Sequence, residues 1–285
     1  MGARFVEANG LRFAYLEQGP RDGPLALCLH GFPDHAPTFR HLLPRLAAAG
    51  FHAVAPWLRG YAPTAVPPDG DVSLDTLAAD ANALHGAFGG DGRAVIVGHD
   101  WGALAANRAT ASEPQLWRRV VTIAVPPEPH LLRLRLTLAQ ARRSHYTVRM
   151  QGPGAVAWLR ANDFEAIDAL WGAWSPSYRQ PADDRLALRA TLRSPGTLET
   201  AVGYYRQVRR DATRGRFPRP AALPPQPHLY LHGLADGCVG GEIAQGVRLP
   251  HPKSRVERVP GAGHFLHLEH PGVIGEAIAG FLSER

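Results

Sequence analysis

Short apolar runs and helical patterns alternate along most of this chain. Leu25–Leu29, His52–Ala55, Ala94–Val97, Val120–Val125, His228–Leu231 and Val256–Val259 have strand length and read as strands buried on both faces. Thr38–Ala49, Leu74–Phe88, Gly102–Ala111 and Val273–Leu282 lie between or after them and predict helices. Such alternation predicts a mostly parallel central sheet flanked by helices. Ahead of it, Arg4–Glu7 and Leu11–Glu17 on either side of Asn9-Gly10 predict a β-hairpin. The alternation stops at Pro126-Pro127. From there to about Phe217 the pattern is helical, rich in Trp, Tyr and Arg, with no strand run; Pro218 to Pro227 is Pro-rich, after which strand and helix resume. The expected organisation is an α/β core formed by residues 1–127 and 218–285, interrupted by a helical cap at 128–217.

A length of 285 residues, 45% of them apolar, suits one large α/β domain or a core with an insertion. No apolar run reaches the ~18–20 residues of a transmembrane helix. Met1-Gly2-Ala3-Arg4-Phe5 lacks the apolar centre of a signal peptide. These features predict a cytoplasmic protein without membrane association. Cys28 and Cys238 are the only cysteines, and Cys28 sits inside an apolar run, so a buried thiol is expected there and no disulfide framework or thiolate metal site.

The formal net charge is +6, carried almost entirely by Arg, with Lys253 the lone lysine. Residues 128–218 hold 15 Arg against 8 acidic residues, a net of +7 that leaves the rest of the chain near −1. A basic face for nucleic acid is one reading. The arginines are scattered and have acids among them, which favours a solvated, ion-paired helical face.

The candidate chemistry starts where Ala94–Val97 runs into Gly98-His99-Asp100-Trp101-Gly102-Ala103. A buried strand, small residues two before and two after a central residue, and then a helix make a nucleophile elbow. The tight turn presents Asp100 at the carboxyl end of the sheet and at a helix N-terminus, which favours its ionised form. A plain N-cap is the other reading of Asp100. A carboxylate gains little by attacking an ester or amide, because the anhydride formed is no easier to break. It displaces effectively at an sp³ carbon bearing a leaving group, as in an epoxide or alkyl halide, and leaves an alkyl ester that water hydrolyses.

Asp236 lies just past the strand His228–Leu231, where an acid that orients a base belongs, and Gly261-Ala262-Gly263-His264 leads toward the last helix with flexible glycines that let His264 reach the elbow. His264, His267 and His270 are spaced near one helical face, but His264 precedes the helix and no carboxylate or Cys set completes a metal motif, so no metal is expected. His30-Gly31-Phe32-Pro33 follows the first buried strand; the backbone N–H groups of Phe32 and Trp101 are the candidate oxyanion hole.

At these positions the sequence resembles the epoxide hydrolases of the α/β-hydrolase superfamily. The resemblance includes His30-Gly31-Phe32-Pro33, Arg59-Gly60-Tyr61, Gly98–Ala103, Asp236 and Gly263-His264-Phe265, and runs along nearly the whole chain. It implies the α/β-hydrolase fold with a helical cap and a nucleophile–acid–base order of Asp100, Asp236, His264. It also implies two cap tyrosines that hold and protonate the epoxide oxygen. Tyr146 stands five residues before Gln151-Gly152-Pro153-Gly154, and Tyr205 lies in Gly203-Tyr204-Tyr205-Arg206. The bland reading of both is cap core. The implied activity needs no cofactor: Asp100 opens the ring, then a neutral His264 oriented by Asp236 activates water. The implied partners are a small-molecule epoxide and water, in a monomer or homodimer. Trp57 and Ala62 depart from the family pattern, which usually has an acid and a Gly there, and bear on pocket shape.

Haloalkane dehalogenases share the Asp-Trp elbow, but their halide site takes an Asn at the Phe32 position or a cap Trp, for which Trp158, Trp171 and Trp174 are candidates. Haloacetate dehalogenases carry Arg where Trp101 and Leu104 stand. A ligand-binding protein that kept the pocket is the non-enzymatic alternative; retention of Asp100, Asp236, His264 and both tyrosines speaks against it.

Overall fold

The computed structural model describes residues 2–134, 137–213 and 222–284. The core strands are β1 (Arg4–Ala8), β2 (Leu11–Gln18), β3 (Leu25–Leu29), β4 (His52–Pro56), β5 (Val95–His99), β6 (Arg119–Ile123), β7 (His228–Gly233) and β8 (Arg255–Val259). They form one sheet in the order β1-β2-β4-β3-β5-β6-β7-β8. The β1–β2 hairpin and the β2–β4 pair are antiparallel, and every pair from β4 across to β8 is parallel. All five residues of each of β3, β4, β5 and β6 are buried, as runs covered on both faces must be. Strand β8, at the edge, has no fully buried residue.

The core helices are α1 (Leu43–Ala48), α2 (Leu74–Ala87) and α3 (Trp101–Ser112). The helix expected over Thr38–Ala49 is two pieces: a short 3₁₀ turn at Ala36–Phe39, then α1. Pro44 explains the break. It lacks the N–H that a continuing helix would use, and it is well placed in the first turn of a new one.

Between β6 and β7 the chain leaves the sheet for a helical insert. Its helices are α4 (Glu128–Leu134), α5 (Leu138–Arg143), α6 (His145–Gln151), α7 (Ala155–Trp174), α8 (Ala182–Arg193) and α9 (Thr197–Thr213). Helix α7 is broken at Ala161–Phe164, where Asn162, Asp163 and Phe164 take positive φ. The insert's expected end, at 217/218, lies outside the described residues. Cap arginines are paired with acids: Arg189 with Asp163 and Asp168, Arg193 with Asp163, and Arg160 with Glu199. That is the ion-paired face expected from the sequence. After β7 come α10 (Ile243–Gly246), β8, α11 (Leu266–Glu269) and α12 (Pro271–Ser283). The helix expected at Val273–Leu282 is α12, and the short α11 ahead of it, ending before His270 and Pro271, was not expected. No described helix is long and apolar enough to cross a membrane.

Chain order reverses direction across β3 and β5: β3 leads outward to β4 on one side, and β5 leads to β6 on the other. Loops leaving the carboxyl ends of such neighbouring strands diverge and open a crevice, which is where α/β sheets place ligands. The elbow, the His30–Pro33 loop, Asp236 and His264 all sit at these ends.

Candidate active site

Asp100 has φ +53° and ψ −116°, a conformation that non-glycine residues avoid, and it directly precedes α3. Sterics at the neighbouring glycines enforce the turn. A Cβ at position 98 would lie 2.2 Å from the Gly102 carbonyl oxygen, one at 102 would lie 2.0 Å from that of Leu29, and one at 31 would meet the Asp100 carboxylate at 2.3 Å. Glycine is therefore needed here for close approach of backbone to backbone and backbone to nucleophile. Asp100 makes no side-chain capping bond to α3, contrary to the plain N-cap reading. Its Oδ1 instead accepts from the Phe32 N–H at 2.7 Å. Trp101 is the first residue of α3, so its N–H has no intrahelical acceptor and stays available at the same spot.

The Phe32 loop is held by His30. The Leu58 N–H donates to His30 Nε2 at 3.0 Å, so that nitrogen is the acceptor and Nδ1 carries the hydrogen donated to the Gly31 carbonyl at 2.9 Å. Burial lowers His30 to about 4, which keeps this neutral tautomer at ordinary pH.

His264 Nδ1 lies 2.9 Å from Asp236 Oδ2. The other Asp236 oxygen accepts from the N–H groups of Cys238 at 2.7 Å and Val239 at 3.0 Å. On its opposite side His264 Nε2 faces Asp100 Oδ2 at 3.6 Å, an ionic contact too long for a good hydrogen bond. Burial by itself would lower the imidazole's proton affinity, but the charges of Asp236 and Asp100 outweigh it and raise His264 to about 10. Burial likewise opposes ionisation of Asp100, and the nearby His264 together with the Phe32 N–H overcomes it, leaving that carboxyl below its ordinary range.

The base's loop is pinned more tightly than flexible glycines suggest. The Trp174 carbonyl, at the end of α7 in the cap, accepts from both the His264 N–H at 2.9 Å and the Gly237 N–H at 3.1 Å, tying the His264 and Asp236 loops to one atom. A Cβ at 263 would lie 2.5 Å from Ser175 Cα, and one at 237 would lie 2.0 Å from the Ala173 carbonyl oxygen. Gly263 thus serves close packing, and Gly261, with φ +75°, is the one that turns the chain. Glu269 accepts from the Gly263 N–H through both oxygens, at 3.0 and 2.9 Å.

A cavity of about 410 Å³ opens over Asp100, lined by Asp100, Trp101, Tyr146, Tyr205 and Cys238 among others. Its apolar walls include Leu104, Val125, Leu131, Val208 and Val239. Tyr146 from α6 and Tyr205 from α9 face each other with ring centroids 5.9 Å apart. Tyr205 also meets Trp101 at 5.1 Å and Phe32 at 5.6 Å, both nearly edge-on. Burial pushes both phenols well above the ordinary tyrosine value, so they stay protonated. Tyr146 Oη lies 3.5 Å from Cys238 Sγ, whereas Tyr205 Oη is buried and makes no hydrogen bond within 3.5 Å, with the Trp101 and Tyr146 side chains as its polar neighbours. The adjacent Tyr204 behaves differently: its hydroxyl donates to the Arg59 carbonyl at 2.9 Å, in the core. Trp57 and Ala62, where the sequence departs from the family pattern, are not among the residues lining this cavity.

The structure brings together all of the residues singled out from sequence: Asp100, Asp236, His264, Tyr146, Tyr205, Phe32 and Trp101. It adds residues that the sequence did not flag. Cys238 sits two positions after the acid with its thiol in the cavity. Gln140 donates to the Cys238 carbonyl at 2.7 Å and accepts from the Gly240 N–H at 2.9 Å, a second tie between cap and acid loop. His99 Nε2 donates to the His264 carbonyl at 3.0 Å. Proximity in sequence to Asp236 and Asp100 was the only available signal for Cys238 and His99; nothing marked Gln140.

Of the three histidines tested for a metal reading, only His267 belongs to a metal-like group, with Asp34 and His99 instead of His264 and His270. Their donor atoms lie within 4.8 Å of one another. Burial lowers His99 to about 3 and raises Asp34 to about 7.

A family model described as alpha/beta hydrolase fold matches residues 24–271. The AB hydrolase superfamily protein YfhM of Bacillus subtilis is 27% identical over 99% of this chain and 98% of its own length. Epoxide hydrolase A of Mycobacterium tuberculosis is 30% identical over 99% of this chain and 98% of its own. The crystal structure of a Bacillus megaterium epoxide hydrolase in complex with an inhibitor superposes with a TM-score of 0.86 at 24% identity, covering 99% of this chain and 100% of the other.

Proposed function

The chain belongs to the α/β-hydrolase fold family, and from that premise we propose that it is an epoxide hydrolase, converting an organic epoxide to a vicinal diol through an alkyl ester on Asp100. One observation carries this reading: two buried, protonated phenols share a cavity with the Asp100 carboxylate, and one of them, Tyr205, has a hydroxyl that makes no hydrogen bond within 3.5 Å. A buried polar group without a partner is costly. An epoxide oxygen held there would satisfy it. The name of the mycobacterial relative, Epoxide hydrolase A, points the same way.

The charges define a proton cycle. In the free site Asp100 is an anion and the carboxylates facing His264 favour its protonated form; the neutral base called for by the sequence is needed only at the later, ester stage. Asp100 attacks a ring carbon, the C–O bond breaks, and a phenol gives its proton to the departing oxygen. Esterification removes one of the two carboxylate charges that hold the proton on His264. That proton then returns to the phenolate, and His264 becomes neutral. It takes a proton from water as hydroxide adds to the Asp100 carbonyl, with the oxyanion at the Phe32 and Trp101 N–H groups. Collapse releases the diol and restores the Asp100 anion and the protonated His264.

Two experiments test this reading. In H₂¹⁸O, a single turnover should yield a diol whose new oxygen is unlabelled, since it comes from Asp100, with ¹⁸O left on the enzyme. Label in the diol would mean direct attack by water. Replacing both Tyr146 and Tyr205 by Phe should slow ring opening by more than either single change, each phenol being worth up to ~10²–10⁴-fold. Wild-type turnover in the double variant would make the tyrosines packing residues. For a haloalkane dehalogenase Trp171 is poorly placed: its indole N–H donates to the Pro33 carbonyl at 2.9 Å, and it does not line the cavity.

A further inference from the structure

Building on the acid role given to Tyr146 above, we propose that Cys238 is a positioning residue for that phenol, holding it in the cavity through a thiol–hydroxyl hydrogen bond. The contact joins two separate parts of the chain: Tyr146 comes from α6 in the cap, Cys238 from the loop after β7, and Oη and Sγ are 3.5 Å apart with both residues buried. Both side chains line the Asp100 cavity, as does Tyr205, whose hydroxyl makes no hydrogen bond within 3.5 Å. The cavity therefore already has a hydroxyl to offer a ligand, and the thiol is the residue that sets where the second phenol stands.

The Cys238 backbone is itself well fixed. The Cys238 N–H donates to Asp236 Oδ1 at 2.7 Å and its carbonyl accepts from Gln140 Nε2 at 2.7 Å. With the backbone held on both sides, Cα and Cβ are fixed and the Tyr146 contact is the hydrogen bond that Sγ makes. Sulfur is a weak donor and a weak acceptor. A carboxylate or carbonyl in its place would bind the phenolic hydrogen strongly and compete with the substrate oxygen. A fully apolar side chain would leave the phenol unanchored. Burial also pushes the thiol well above its ordinary value. It therefore stays uncharged and does not compete with Asp100 for an electrophilic substrate, because the thiolate is the nucleophilic form.

The test compares Cys238→Val, which fills the volume without hydrogen bonding, with Cys238→Ser, which keeps a hydroxyl in a smaller volume. For a hydrogen-bonding role, Val should lower kcat/KM for epoxide opening by about 3–10-fold, the range of one net hydrogen bond, and Ser should lose less. The rate of alkyl-ester hydrolysis should not change, because the backbone N–H that supports Asp236 survives either substitution. In a Tyr146→Phe background, Cys238→Val should have no further effect. Cys238→Ala gives the same comparison if the valine crowds the site. Wild-type kcat/KM in both Val and Ala variants, a larger loss in Ser than in Val, or an undiminished effect without the Tyr146 hydroxyl would each overturn the proposal. Failure of the wild-type enzyme to open any epoxide would instead defeat the proposed function, so the two failures are separable.

Discussion

Asp100→Ala is expected to lower diol formation by at least ~10⁴-fold, the scale seen when a nucleophile is removed from a catalytic unit, with the protein still folded. The loss should be this large because the cavity offers no substitute. Cys238 is kept in its unreactive thiol form, and the phenols are kept protonated. The fold should survive because the turn is set by Gly98 and Gly102, whose close approaches to neighbouring backbone do not involve the Asp100 side chain. Alanine retains the unfavourable positive φ, so no new backbone strain is added at position 100. Removing the carboxylate also takes away one of the two charges that raise His264, whose proton affinity should fall. Circular dichroism and thermal melting check the fold, and product analysis checks the activity. Undiminished hydrolysis by a folded variant would refute the proposed nucleophile.

His264→Gln is expected to separate the two chemical steps. Ring opening should persist, because Asp100 is ionised and the phenols supply the proton. Ester hydrolysis should slow by ~10²–10⁴-fold for want of a base. Incubated with a reactive epoxide, the variant should gain the mass of one substrate molecule on the peptide that carries Asp100. Some loss of alkylation is also expected, since the imidazolium helps to keep the Asp100 carboxyl low. The wild-type enzyme provides the pH counterpart. A proton on His264 blocks water activation, so breakdown of the ester should rise with pH as the esterified site deprotonates. Esterification removes the Asp100 charge, so that midpoint should lie below the value of about 10 that His264 has in the free site. The glutamine variant should lack the rise. Label on another residue, or rapid diol release without His264, would defeat the mechanism.

Much of the architecture was legible in the amino-acid sequence because its signals are local. Strand β3 was bounded correctly at Leu25–Leu29, and β5 within two residues, since a strand buried on both faces must be an apolar run. The elbow was legible because backbone sterics at 98 and 102 admit only the smallest side chain, and this requirement is written in the residues themselves. The start of the insert was visible where strand periodicity ended at Pro126-Pro127. The broken first helix was harder to read: Pro44 either opens a helix or interrupts one, and the local pattern fits both.

Other properties depend on atoms brought together from distant parts of the chain. Sequence named Tyr146 and Tyr205 only through family resemblance; packing decided that the Tyr205 hydroxyl makes no hydrogen bond within 3.5 Å while its neighbour Tyr204 is spent on the Arg59 carbonyl. Sequence offered three histidines at a suggestive spacing. Tertiary structure turned His264 toward two carboxylates, grouped His267 with Asp34 and His99, and thereby gave similar imidazoles opposite proton affinities. Nor could spacing reveal that one cap carbonyl, that of Trp174, holds the acid and base loops together. Composition and periodicity record how each residue suits its own segment. The charge state of His264, and the partners of Cys238 and Tyr205, follow from dielectric and distance, which exist only once the chain has closed around them.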